Sequence, residues 1–204
     1  MGKQGDHGAG GGLAERRGLD GSVYEPAEDS ALLVEGCAGA IGEDELVIDV
    51  GTGSGYVAER IRARSGARVI GTDRNPHACR RAAERGVQVV LTDLLAGVRP
   101  AIADVIVCNP PYLPTDAVPR DDWLAVAVAG GPTGRAVVER LFADAGRVLV
   151  DDGRIYLLVS SLMDIPTLRE EAAARGFDAV EVARDDSYPY EVLAVLECRR
   201  HDRG

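Results

Sequence analysis

Leu46-Val47-Ile48-Asp49-Val50-Gly51-Thr52-Gly53-Ser54-Gly55 is the stretch whose reading decides the fold. Leu46 to Val50 is a short buried strand, and a G-x-G-x-G loop follows it at once. Val57 and Ile61, at i and i+4, mark the helix that begins after the loop. Strand, glycine turn and helix in that order form the first half of a βαβ unit. Open sheets built from such units bind ligands at the carboxyl ends of their strands.

The same alternation continues outward in both directions. Upstream, a helix is predicted to start at Pro26, a favoured first helical position, with Leu33, Cys37 and Ile41 on one face. Downstream, strands are predicted over Arg68–Thr72 and Val87–Leu91 with a helix over Pro76–Arg85 between them, and a fourth strand ends at Cys108. Leu113 to Asp122 is rich in Pro and Asp and reads as loop. After Gly130-Gly131 comes the strongest helix, with Val138, Leu141, Phe142, Ala145, Val148 and Leu149 on one stripe. A strand over Arg154–Val159, a helix over Pro166–Arg175 and two closing strands, about Asp178–Ala183 and Glu191–Cys198, complete the chain. Strands separated by helices imply a parallel α/β sheet covered on both faces. Arg184 to Tyr190 is too short for a crossover helix, so the last two strands pair antiparallel.

The 204 residues suit one domain, expected over 22–200, preceded by a glycine-rich tail (1–21) expected to be disordered. No apolar run has transmembrane length and no signal-peptide core is present, which predicts a soluble cytoplasmic protein. The balance of 23 basic and 33 acidic residues, with Lys3 the single lysine, fits a salty cytoplasm and a GC-rich coding sequence. Without a basic run, an extensive phosphate-binding surface is not expected. Cys37, Cys79, Cys108 and Cys198 form no CxxC pair, and His7, His77 and His201 are scattered. Neither a disulfide framework nor a metal site is indicated.

Acids stand at successive strand ends. Asp73, twenty residues beyond Gly53, suits the two hydroxyls of a ribose. The loop lacks the third glycine of G-x-G-x-x-G, which a pyrophosphate needs for close helix approach. S-adenosylmethionine has no pyrophosphate, and its cationic amino group would be attracted by Asp49. Asp93, in Thr92-Asp93-Leu94, suits the exocyclic amine of adenine, with Leu94 against the ring.

Asn109-Pro110-Pro111-Tyr112 follows the fourth strand. The Asn109 side-chain carbonyl and the Pro110 backbone carbonyl make an acceptor pair for the two N–H bonds of a planar –NH2 group, with Tyr112 packed on its flat face. The nitrogen lone pair is then aimed along an S–CH3 bond. No base for the departing amide proton is in sequence reach, which leaves loss to water.

Four stretches resemble the short, single-domain archaeal and eukaryotic branch of HemK-type methyltransferases, which methylate the glutamine amide of the Gly-Gly-Gln loop in class I translation release factors. Val23-Tyr24-Glu25-Pro26-Ala27-Glu28-Asp29-Ser30 is similar to that branch's Tyr-x-Pro-Ala-Glu-Asp-Thr segment, with Ser30 where threonine is usual. Asp49 to Gly55 and Asn109 to Tyr112 resemble its cofactor and substrate motifs, Asp49 standing where some relatives have glutamate. Ala129-Gly130-Gly131-Pro132-Thr133-Gly134-Arg135 resembles its Ala-Gly-Gly-x-x-Gly-Arg block. The resemblance implies a class I S-adenosylmethionine-dependent fold: a Rossmann-like sheet of seven strands, the last antiparallel.

It also implies that Ser30, Asp49, Gly51, Asp73, Asp93, Leu94 and Asn109 touch the cofactor. Pro26, Asp29, Thr52, Gly53, Gly55 and Arg74, in the same segments, complete that candidate set. Asn109, Pro110, Pro111 and Tyr112 would hold and present glutamine. Arg135 either orients the substrate backbone or pairs with a carboxylate, and Trp123 either lines the substrate mouth or anchors the core. Bacterial members dock the release factor with an extra helical domain, and only a short glycine-rich stretch precedes the first matching segment here.

The short branch works with a small zinc-containing activator that adds a strand to the sheet, and Val87–Leu91 would be an apolar edge strand able to accept it. Three other functions remain in view: an adenine-N6 methyltransferase of DNA or RNA, a lysine methyltransferase, and a non-catalytic binding protein of the same fold. The first needs base extrusion and a recognition surface that this chain does not advertise.

Overall fold

The computed structural model describes Val23 and residues 25–115 and 123–201. The tail over 1–21, His7, Tyr24 of the first matching segment and residues 116–122 of the Pro- and Asp-rich loop lie outside the described residues.

In chain order the elements are α1 (Glu28–Cys37), β1 (Leu46–Val50), α2 (Tyr56–Ser65), β2 (Arg68–Asp73), α3 (Pro76–Glu84), β3 (Gln88–Leu91) and β4 (Ala103–Cys108). They continue with α4 (Trp123–Val128), α5 (Ala136–Val148), β5 (Leu149–Ser160), α6 (Ile165–Ala174), β6 (Phe177–Tyr188) and β7 (Glu191–Arg200). The described residues form one seven-stranded sheet in the order β3-β2-β1-β4-β5-β7-β6. β1 through β5 run parallel, and β7 lies antiparallel between β5 and β6, so the last strand alone is reversed.

Coverage of both sheet faces explains the strand compositions. All five residues of β1 are buried, as are Val105 to Cys108 of β4, giving the continuous apolar runs of central parallel strands. β3 is the outer edge, with Val90 41% and Leu91 60% exposed. The chain winds outward from β1 to β2 and β3, then crosses back to β4 on the other side of β1. A crevice therefore opens between β1 and β4 at their carboxyl ends. No helix among the described residues is long and apolar enough to cross a membrane.

Some boundaries differ from the sequence-based expectation. α1 starts at Glu28, not Pro26, because Ala27 is extended at φ −123°. Leu33 and Cys37 share its buried face, while Ile41 reaches the same core after a 3-10 turn over Ala38–Ala40. β5 begins at Leu149, with a register shift between Ala103 and Val105 of its neighbour. β6 continues through Arg184, Asp185 and Asp186, leaving Pro189 and Tyr190 between the paired Tyr188 and Glu191. Charged side chains on an edge strand hid that extension, since Asp is depleted in strands generally. α4 was not foreseen.

At the amino-terminal end of β4 and β5 the sheet holds a paired charge cluster. Arg154, whose side chain is 8% exposed, donates to Glu45 Oε1 and Oε2 at 2.7 and 2.9 Å, to the Ala40 carbonyl at 2.6 Å and to the Tyr156 hydroxyl at 3.2 Å. Tyr156 donates onward to Glu197 Oε1 at 2.7 Å, which Arg199 also reaches. Arg154 holds the Glu45 carboxyl below its ordinary range. Burial acts against Glu197, yet hydrogen bonds from Arg199 and Tyr156 hold it below its ordinary range too.

Candidate active site

A cavity of about 460 Å³ opens at the carboxyl ends of β1, β2 and β4, bounded by Val50, Asp73 and Cys108. That volume falls in the range of small-molecule sites. The glycine loop forms its floor, with Gly51, Gly53 and Gly55 at φ 71°, 54° and 80°. The N–H groups of Gly51 and Thr52 both donate to the Thr72 carbonyl, tying the loop to the end of β2. Gly55 packs α2 against α3: a Cβ there would sit 2.9 Å from Ala82 Cα. Its role is structural, and it does not line the cavity.

Asp49 is 2% exposed and accepts a 2.6 Å hydrogen bond from the Thr52 hydroxyl. Burial pushes its carboxyl up to about 6, with the Thr52 and Ala58 hydrogen bonds acting downward and Asp73 adding to the rise. None of those groups is a cation. Asp73 accepts from the N–H of Gly53 at 2.9 Å and of Asn75 at 2.8 Å, and burial raises its carboxyl also. Asn75 caps α3 by accepting from His77 N–H, and Pro76 follows at the first turn. Arg74 lines the cavity beside Asp73.

At the far wall stand Asp93 and Leu94. Leu94 has φ 48°, a conformation that non-glycine residues adopt rarely and that clusters at functional sites. Asp93 is paired with Arg140 at 2.7 Å, and Arg140 lines the same cavity. The sequence reading missed Arg140. Its signal was available: Val137 and Arg140 are spaced i, i+3 on the flank of the buried stripe formed by Val138, Leu141 and Ala145 of α5.

Asn109 and the two prolines enter the cavity from the end of β4, with Pro26 and Ser30 opposite them in the lining. Asn109 Nδ2 donates to Ser30 Oγ at 3.3 Å. Tyr112 is buried and turns away from the cavity; with Asp29, Asn109, Pro110 and Pro111 it lines a small adjoining hollow of about 30 Å³. Asp29 therefore stands beside the Asn-Pro-Pro-Tyr segment, not in the cofactor-sized cavity for which it was a candidate.

The Gly130-to-Arg135 block buttresses that segment. Gly130 N–H donates to the Leu113 carbonyl at 2.8 Å, Thr115 N–H to the Gly131 carbonyl at 3.0 Å, and Leu113 bridges Ala129. A Cβ on Gly130 would lie 2.6 Å from the Pro111 carbonyl oxygen, so only glycine admits this approach. Arg135 does not line the cavity. Its guanidinium donates to the Met163 carbonyl at 3.1 Å and lies 3.4 Å from Glu171, which favours the carboxylate-pairing alternative over substrate contact. Trp123 lines the cavity mouth, half-buried. Cys37, Cys108 and Cys198 are buried free thiols, and burial raises each of them.

A sheet ordered 3-2-1-4-5-7-6 with a reversed last strand, acids at the ends of β1 and β2, and an Asn-Pro-Pro-Tyr segment after β4 define a class I methyltransferase. Residues 25–124 match the family model described as the methyltransferase small domain. A Methanocaldococcus jannaschii protein named as a protein N5-glutamine methyltransferase is 31% identical over 189 residues, covering 89% of this chain and 94% of that protein. The Mus musculus methyltransferase HEMK2 is 36% identical over 160 residues, covering 70% of this chain and 73% of the relative. A solved chain of the E. cuniculi Mtq2–Trm112 complex, responsible for methylation of the eRF1 translation termination factor, superposes with a TM-score of 0.74 at 29% identity, covering 88% of this chain and 99% of that one. The chain belongs to the HemK-type protein glutamine methyltransferases.

Proposed function

We propose that this enzyme methylates the side-chain amide of the glutamine in the Gly-Gly-Gln loop of a class I release factor, using S-adenosylmethionine. The donor set fits that cofactor. Asp49, buried and with no cation among the described groups that act on it, suits the ammonium of its methionine moiety. Gly51, Thr52 and Gly53 form the floor beneath it, Asp73 and Arg74 suit the ribose, and Asp93 with Leu94 suits the adenine. When bound, S-adenosylmethionine supplies a methyl group on a positively charged sulfur.

The chain's own contribution is placement. Asn109 Oδ1 and the Pro110 carbonyl accept the two N–H bonds of the target amide, fixing its plane and leaving the nitrogen lone pair outside both hydrogen bonds. Alignment of two reactants can supply about 7–11 kcal/mol, so the site has little need of a strong base. The amide proton departs to water. The observation that carries the reading is Asn109 held against Ser30 at the wall of the cavity, in a chain of this family.

Incubation with labelled cofactor, release factor and nucleic acid, followed by mass spectrometry, tests it. Label on the Gly-Gly-Gln glutamine is expected; label confined to nucleic acid would favour adenine-N6 transfer instead, and label on lysine a third activity.

The catalytic domain in this reading spans 22–200, and the enzyme works in the cytoplasm as a heterodimer. Its partner is a small zinc-binding activator that adds a strand to β3, whose Val90 and Leu91 are exposed. The E. cuniculi neighbour, solved as a complex with Trm112, supports the presence of a partner protein. Expressed alone, the chain is expected to be poorly soluble or inactive, and co-expression should yield a one-to-one complex; full solubility and turnover without a partner would argue against it.

A further inference from the structure

We infer that Asp29 is a positioning residue, which acts through the Ser30 hydroxyl to fix which way round the Asn109 carboxamide stands. The inference rests on the glutamine reading above and assigns a role to a residue that the cavity leaves unused. Asp29 is 4% exposed, in the first turn of α1. Its Oδ1 accepts from Ser30 N–H at 2.6 Å and from the Ser30 hydroxyl at 3.2 Å. Ser30 Oγ in turn accepts from Asn109 Nδ2 at 3.3 Å, across 79 residues of sequence. Asp29 also shares the small hollow with Asn109, Pro110, Pro111 and Tyr112.

Proton counting gives this relay a direction. A carboxylate only accepts, and a hydroxyl has one proton. Once Ser30 gives that proton to Asp29, its oxygen offers only lone pairs to Asn109. The Asn109 amide must then turn its –NH2 toward Ser30, which leaves Oδ1 facing the target. The opposite orientation would set –NH2 against the –NH2 of glutamine, donor against donor. Ser30 and Asp29 are both buried, so a mismatched group there could not turn to water for a partner.

Capping of α1 is the competing role for Asp29, and it makes no statement about how Asn109 stands. Substrate discrimination separates the two. A Gly-Gly-Glu release factor presents a carboxylate that the acceptor pair repels, whereas a reversed Asn109 would welcome it.

The experiment measures binding of release factor carrying Gly-Gly-Gln or Gly-Gly-Glu to the full chain, in complex with any activator it carries, with S-adenosylhomocysteine present. Wild type should prefer glutamine by about 30-fold or more, as a site built around a hydrogen-bonded group does. Asp29→Ala should narrow that preference to about threefold or less, while S-adenosylhomocysteine affinity, the control for folding, stays within about threefold. Asp29→Asn keeps an Oδ1 acceptor and should retain the preference. Ser30→Ala should lose it and Ser30→Thr keep it, a second pair that decides the matter if Asp29→Ala does not fold. Full discrimination in Asp29→Ala or in Ser30→Ala would overturn the inference. So would equal loss in Asp29→Asn, which would point to charge instead of acceptor geometry. A wild type without preference would overturn the glutamine reading, and the inference with it.

Discussion

The two ends of the parallel sheet treat their acids in opposite ways. At the amino-terminal end, Glu45 and Glu197 are engaged by Arg154, Arg199 and Tyr156, and both carboxyls sit below their ordinary range. At the carboxyl end, Asp49 and Asp73 are engaged by a hydroxyl and backbone N–H groups, and burial raises both, Asp49 to about 6. One end is electrostatically complete; at the other Asp93 has Arg140 and Asp73 feels Arg74, whereas no cation among the described groups acts on Asp49. The contrast teaches where the fold invests in stability and where it invests in binding: a buried acid without a cation costs the empty protein something that a cationic ligand returns.

The largest effect that could break this division is at the reacting wall. Asn109→Ala should lower kcat by about 10³-fold, comparable to loss of a single key donor in other enzymes, with S-adenosylhomocysteine affinity changed by less than about threefold. Unchanged turnover would remove Asn109 from the chemistry. Next, Arg154→Ala should destabilise the fold by about 3 kcal/mol in denaturant unfolding, since it leaves Glu45 without its cation in a partly buried setting. The same variant should leave cofactor affinity alone; a large affinity loss would show that the two ends are coupled.

A third effect follows from Asp49. Its folded value lies above the ordinary 3.8, so the stability linked to its protonated form is present at low pH and is lost as pH rises through about 6. Binding of an ammonium requires the ionised form, so S-adenosylhomocysteine should bind about tenfold more weakly at pH 5 than at pH 7. Calorimetry that found equal affinity at both would refute the role given to Asp49. The smallest change sharpens the same point. Thr52→Val removes the hydroxyl that favours ionised Asp49, and should move the midpoint of that pH dependence upward with under about threefold loss at pH 7.

Backbone architecture was readable from the chain because each strand and helix carries its own period. The reversed last strand followed from the brevity of the segment before it, and β1 was legible from an unbroken apolar run. The acids that line the cavity were legible too, since a strand's carboxyl end is a position along the sequence. What escaped was the destination of side chains whose partners are distant. Arg140 meets Asp93 across 47 residues. Arg135 finds Glu171 and Met163 on later elements, and Asp29 turns to the reacting segment instead of the nucleoside cavity. Local pattern states which face a residue occupies, whereas packing of α1 against β5, β6 and β7 decides what its first turn meets.

β7 lies between β5 and β6 and is the last strand in the chain. During synthesis, both neighbours are made before the strand that joins them. Until Glu191 to Arg200 emerge, β5 exposes an open ladder and β6 has nothing to hold, the kind of unpaired edge that invites aggregation of nascent chains. Completion of this sheet thus waits for the strand inserted between its two neighbours, so the order of pairing runs against the order of synthesis.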